Sequence, residues 1–276
     1  MTFARVAVSG SILLLSLSVP AVSQTLEASR SMVMAPGVAQ VPSAQDPQNV
    51  VHPQISDEQM GDLYMVRKQF REAAEMFKKL ADENPRNPVY WNKLGIALHQ
   101  QEALGEALKY YKKAAKVDPQ YADAENNVGT IWYQRKKYGK AIKAYERAIK
   151  IRTDMAVLYS NLGYAYFGEK KYGEAIAAFR QGLTLDPLLF EHNNSRNGSV
   201  LQDRSVDDRG KFDYMLAKSF AEAGDLERCV HYLLKAKDDG YKEISDIKKD
   251  PAFAAALKTP EIKELLTAKP ETPAPL

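Results

Sequence analysis

Cysteine is almost missing from this chain: Cys229 is the only one among 276 residues. No disulfide can form within the chain, so packing alone must hold the fold. Proline is scarce where it would matter most. Of 14 prolines, only Pro85, Pro88, Pro119 and Pro187 fall between residues 54 and 250, which leaves the middle free to build long helices between polar, proline-rich ends. Charge of one sign is missing too. A net charge of +3 does not by itself direct a protein to nucleic acid, and no nucleic-acid partner is expected. The four histidines, His52, His99, His192 and His231, form neither an H-E-x-x-H pair nor a Cys/His cluster with zinc spacing. There is no G-x-S-x-G elbow and no glycine-rich phosphate loop. Asp207 and Asp208 follow Ser205 and fit the first turn of a helix better than an acid–base pair. No enzyme, metal site or cofactor is implied.

What is present begins with a leader. MTFARVAVSGSILLLSLSVPAVSQ carries Arg5, an apolar run from Val6 to Val19, then Pro20 and the small residues Ala21 and Ser23. This is the layout of a secretory signal over 1–23, with cleavage near Ser23. The run is short for a membrane span, so no stable membrane insertion is expected after cleavage. No cysteine follows the run, which argues against a lipid anchor. The expected location is periplasmic or secreted, in a bacterium. Residues 24–53 show no sustained period and contain four prolines, as a flexible tether would, and the tail KPETPAPL at 269–276 is expected to be disordered.

Between these ends runs a ruler of 34 residues. Gly61, Gly95, Gly129 and Gly163 lie 34 apart. The series Ala73, Ala107, Ala141, Ala175 and the series Phe77, Tyr111, Tyr145, Phe179 keep the same interval. Pro85, Pro119 and Pro187 follow it as well, with Thr153 in the vacant place. Within one unit, Trp91, Leu94, Gly95 and Leu98 mark one face of a first helix, and Ala107, Leu108, Tyr111, Ala114 and Ala115 mark the inner face of a second. Asp118-Pro119 ends it.

This pattern resembles the tetratricopeptide repeat, whose signature stands in NPVYWNKLGIALHQQEALGEALKYYKKAAKVDP. Leu80 and Gly182 replace the late alanine in the first and fourth units. The resemblance implies an all-α, right-handed superhelical solenoid of helix-turn-helix repeats. Four units are expected over 54–187, an insertion over 188–209, a fifth unit over 210–241 and a helical cap over 242–268. In the fifth unit Leu216, Ala217, Phe220, Cys229, Leu233 and Ala236 fall on repeat positions, and Cys229 reads as a buried, inert thiol. Phe253, Leu257, Ile262, Leu265 and Leu266 are expected to cover the last repeat, with short helices broken at Pro251 and Pro260. The basic run RKKYGKAIKAYERAIKIR at 135–152 reads as a solvated outer surface.

In the family, positions 2, 5, 9 and 12 of the first helix, with position 6 at their border, line a concave peptide groove. Here position 5 is Glu58, Asn92, Asn126 and Ser160, and position 6 is Gln59, Lys93, Asn127 and Asn161. Position 9 is Asp62, Ile96, Thr130 and Tyr164; position 12 is Met65, His99, Tyr133 and Phe167. The resemblance therefore nominates Asn92, Lys93, His99, Asn126, Asn127, Thr130, Tyr133, Asn161, Tyr164 and Phe167. A row of amides would pair with an extended backbone, beside an apolar row for side chains. Glu58 and Asp62 have the wrong sign for the carboxylate clamp of chaperone-tail binders. The expected function is non-catalytic binding of a protein or peptide. The alternative is a structural protein that self-associates or braces an envelope complex through its outer or end surfaces.

Overall fold

A computed structural model describes residues 55–190 and 208–267. The leader, the tether, most of the insertion and the tail lie outside the described residues. The described residues form helices and no strand. Eight helices come as four hairpins: α1 (Asp57–Val66) with α2 (Phe70–Glu83), α3 (Pro88–Gln100) with α4 (Leu104–Val117), α5 (Ala122–Gln134) with α6 (Tyr138–Ile151), and α7 (Ala156–Gly168) with α8 (Tyr172–Leu185). A fifth hairpin, α9 (Arg209–Ala223) with α10 (Leu226–Asp238), follows. Each helix packs on the next in the chain, from α1 to α10.

The glycine ruler has a steric cause. A Cβ at Gly95 would lie 2.6 Å from the Tyr111 ring, and one at Gly129 would lie 2.5 Å from the Tyr145 ring. Each first helix thus leaves a notch that the aromatic of its own second helix fills, and Phe77, Tyr111, Tyr145 and Phe179 are all buried. The alanine series is small for the same reason: Ala73, Ala107, Ala141 and Ala175 are each 0% exposed. Cys229 occupies the equivalent place in α10 and is also 0% exposed. Burial pushes its thiol up to about 12, so it stays protonated and unreactive at neutral pH.

The hairpin turns show a feature without a glycine signal in the sequence. Residues 67–69, 101–103, 135–137 and 169–171 join first to second helices, and the middle residue of each has positive φ: Lys68 59°, Glu102 61°, Lys136 53° and Lys170 62°. The left-handed region costs an L-residue about 1–2 kcal/mol, and the turn accepts that cost four times because it closes each hairpin in three residues.

The C-terminal segment is a run of short helices with boundaries at Pro251 and Pro260. Residues Ile244–Lys249, Pro251–Phe253 and Ala256–Lys258 are 3₁₀ helices, and only Pro260–Thr267 (α11) is α-helical. Pro251 and Pro260 each open a new helix after the break, as the first helical position lacks an N–H partner anyway. Asp250 caps Ala252 N at 3.0 Å. Phe253, Ile262 and Leu265 are buried against the last hairpin, with Ile247 and Ala256. Leu257 and Leu266 are half-buried against the same core. At the start of α9 the N-cap is Asp208, whose carboxylate accepts from Lys211 N at 3.0 Å.

Candidate functional site

The first helices α1, α3, α5 and α7 share one repeated bond. The side chain at position 6 of each unit donates to position 5 of the unit before it. Lys93 Nζ meets Glu58 Oε1 at 2.9 Å, with Asp62 Oδ1 at 2.8 Å. Asn127 Nδ2 donates to Asn92 Oδ1 at 2.9 Å, and Asn161 Nδ2 donates to Asn126 Oδ1 at 2.9 Å. Each rung spans 35 residues, one more than the ruler, because donor and acceptor sit at adjacent positions. Hydrogen bonding to Lys93 holds the Glu58 carboxyl below its ordinary value. Gln59, in the first described unit, closes a capping box with Ser56 instead.

These rungs take up much of the amide row. Asn92, Asn126, Asn127 and Asn161 are all buried, and at least one polar atom of each is used between repeats. Lys93 is committed to two carboxylates. The same holds for the nominated second row. Thr130 is buried; its hydroxyl donates to the Asn126 carbonyl at 3.1 Å and accepts from the Tyr145 hydroxyl at 3.3 Å. His99 lies between Gln134 Oε1 at 2.9 Å and the Tyr111 hydroxyl at 3.4 Å, and burial lowers its pKa. Tyr133 is buried edge-on to Tyr138 at 5.3 Å. Tyr164 stacks on Phe212 at 5.2 Å, and Phe167 meets the same ring edge-on at 5.4 Å. Phe212 of α9 therefore packs against both rings at the fourth unit.

Two atoms of the row are left without a hydrogen bond, Asn126 Nδ2 and Ser160 Oγ. The sequence explains both. Asn92 Nδ2 donates to the Tyr121 hydroxyl at 3.3 Å, but the residue one repeat after Tyr121 is Met155, which leaves Asn126 Nδ2 bare. Ser160 stands where the next rung would end. Its donor position in the fifth unit, counted from Ala217, is Met215, whose side chain has no N–H to give. The register of the fifth unit was needed to see this, and the signal, a methionine breaking an amide series, was available in the sequence.

Sequence comparison agrees with the geometry. Models described as tetratricopeptide repeat match residues 59–122 and 156–187, and one described as TPR repeat matches 129–169. The chain is a tetratricopeptide repeat protein. These matches end at residue 187, before the α9–α10 hairpin. A comparison with curated proteins found no match. Among solved structures, the chain is similar to "MamA 41-end from Desulfovibrio magneticus RS-1", at 20% identity and TM-score 0.47, over 66% of this chain and 92% of that one. It is also similar to TTC0263, a TPR protein of Thermus thermophilus, at 16% identity and TM-score 0.46, over 73% and 99%. The Arabidopsis OM64 TPR domain matches at 23% identity and TM-score 0.35, over 36% and 83%.

Among the described residues no group of three or more His, Cys, Asp or Glu could hold a metal ion, and no helix is long and apolar enough to cross a membrane. What the row can do is hydrogen-bond: it offers one amide donor and one hydroxyl, both buried and both unused.

Proposed function

We propose that this protein is a non-catalytic scaffold of the cell envelope, which binds an extended segment of a partner protein along the first-helix row. The carrying observation is the pair of orphaned atoms, Asn126 Nδ2 and Ser160 Oγ, in neighbouring units. A buried polar atom without a partner costs roughly 1–3 kcal/mol, and an extended backbone offers the carbonyl and N–H groups that would satisfy both. The family membership supports protein binding in general, and the leader in the sequence supports the envelope. Because both atoms are buried, a ligand must be admitted by movement of the side chains around them, so association is expected to be slow for a peptide.

Asn126→Asp keeps the oxygen that accepts from Asn161 and removes the free donor; Ser160→Ala removes the free hydroxyl. The test is affinity capture from cell-envelope extract with the wild-type chain and with the double variant, checked for equal helical content. Loss of the captured protein in the variant is the expected result. Capture that is unchanged would refute binding along this row and leave the self-associating, bracing alternative, which sedimentation at several concentrations would then test.

A further inference from the structure

The helix pair α4 and α6 encloses, over α5, a cleft of about 430 Å³ that the basic run 135–152 forms only in part. Lys112 and Lys116 of α4 make one wall; Lys140, Lys143 and Arg147 of α6 make the other. Val128, Trp132 and Ala115 supply apolar surface between them. The residues on each wall are spaced by four, or by three and then four, so each set shares one helix face. A run of cations that looked like a solvated face in one repeat is thus joined by two lysines of the preceding repeat and by an aromatic ring.

Among the described residues the charges in the cleft are not balanced. Glu125 is its one acidic residue, and that carboxylate is already tied to Arg147 Nη2 at 2.8 Å. Among the described residues Lys112, Lys116, Lys140 and Lys143 have no ion pair. Other cations of the described surface do find carboxylates: Lys79 with Asp57, Arg152 with Asp154, Arg180 with Glu222, Lys218 with Asp250. Lys112 Nζ and Lys140 Nζ lie 5.4 and 4.5 Å from the centroid of the Trp132 ring, so their ammonium groups are held at the cleft rather than spread into solvent.

We propose that this cleft docks an acidic peptide segment carrying an apolar side chain, at a surface separate from the first-helix row. Lys112 and Lys116 are about 6 Å apart along their helix axis, close to the roughly 6.6 Å between alternate residues of an extended strand. Alternate carboxylates of one segment therefore reach successive lysines of one wall. The residues between them face the opposite wall of Lys140 and Lys143. The Trp132 and Val128 surface takes an apolar side chain, which a purely polyanionic ligand would not use, and this selects a peptide over a phosphate polymer.

Trp132 reports on the site directly, since the chain has two tryptophans and Trp91 is 1% exposed. The probe is a short fluorescein-labelled peptide of Glu and Asp with a central Phe, titrated into the full chain while its anisotropy is followed. An unlabelled copy is followed by Trp132 fluorescence in a Trp91→Phe background. Saturable binding that weakens with salt, and at least tenfold weaker binding to Lys116→Glu/Lys143→Glu with unchanged far-UV circular dichroism, is the expected result. Both substituted side chains are exposed, so the fold should tolerate them. The proposal is overturned by any of three results: no saturable binding, equal affinity for the double variant, or inorganic polyphosphate or a Phe→Ser peptide binding as tightly as the probe.

Discussion

Substitutions at Ser160 and at Asn127 should move stability in opposite directions, although both residues are buried polar groups on the first-helix row. Asn127 is 3% exposed and its amide is bonded to Asn92, itself 4% exposed. Asn127→Ala removes a neutral hydrogen bond worth about 1 kcal/mol and leaves Asn92 Oδ1 buried and bare, for about 1–3 kcal/mol more. Better helix propensity returns about 0.6 kcal/mol, so the net effect is a loss of about 2 kcal/mol. Ser160 is 0% exposed and its hydroxyl has no partner. Ser160→Ala therefore removes an uncompensated desolvation and adds propensity, a gain of about 1 kcal/mol. With a urea m-value of about 2 kcal/mol/M for a domain of this size, the two midpoints should separate by about 1.5 M in urea melts followed by circular dichroism. Adding Asn92→Ala to Asn127→Ala should recover part of the loss, because the orphaned oxygen is removed with it. If Ser160→Ala destabilised the protein as much as Asn127→Ala does, the distinction between used and unused atoms would be wrong. The function proposed above would lose its footing with it.

Three further outcomes follow from the same geometry. Replacing Lys136 by Gly should stabilise the α5–α6 hairpin by about 0.5–1 kcal/mol, since φ of 53° is strained for lysine and free for glycine, less the greater entropy of the unfolded chain; thermal melting of Lys136→Gly and of its counterpart Glu102→Gly checks this. Gly210→Ala should cost more than about 2 kcal/mol, because its Cβ would lie 2.7 Å from the backbone nitrogen of Tyr241 and 2.9 Å from the Asp239 carbonyl oxygen, groups that cannot turn aside as a side chain can; urea unfolding reads it. Burial raises the Asp213 carboxyl to about 6, with Asp239 adding to the rise and Lys235 opposing it. A raised carboxyl binds its proton more tightly in the folded state, so its contribution is full below the unfolded value near 4 and is lost as pH rises through about 6. Stability measured between about pH 4 and 6 should fall by up to about 1.4 kcal/mol per pH unit, and Asp213→Asn should flatten that slope.

The repeat itself was legible because its glycines and aromatics answer to one local contact, the notch and the ring that fills it within a single hairpin. Cys229 could be placed from the alanine series for the same reason. The nominated groove residues fall along the first helices, buried or half-buried. Whether Asn127 faces a ligand or Asn92 depends on how one unit is rotated on the next, which no spacing within a unit encodes. Phe212 reaches Tyr164 and Phe167 from across an insertion, a contact that the 34-residue interval does not encode. The left-handed turn residues were hidden because Lys68, Glu102, Lys136 and Lys170 carry no glycine signal. The cleft around Trp132 was only half visible, since Lys112 and Lys116 come from another repeat.

The rungs point one way: every donor reaches back to the unit before it. A unit therefore needs only an acceptor behind and supplies one ahead, and the module 122–155 can be taken out without loss of register. Its removal would bring Asn161 to face Asn92, and the same amide pair would form again. The array can shorten or lengthen by duplication in its middle. At its far end it cannot be extended through this bond, because the Met215 side chain offers no donor and the fifth unit closes the series.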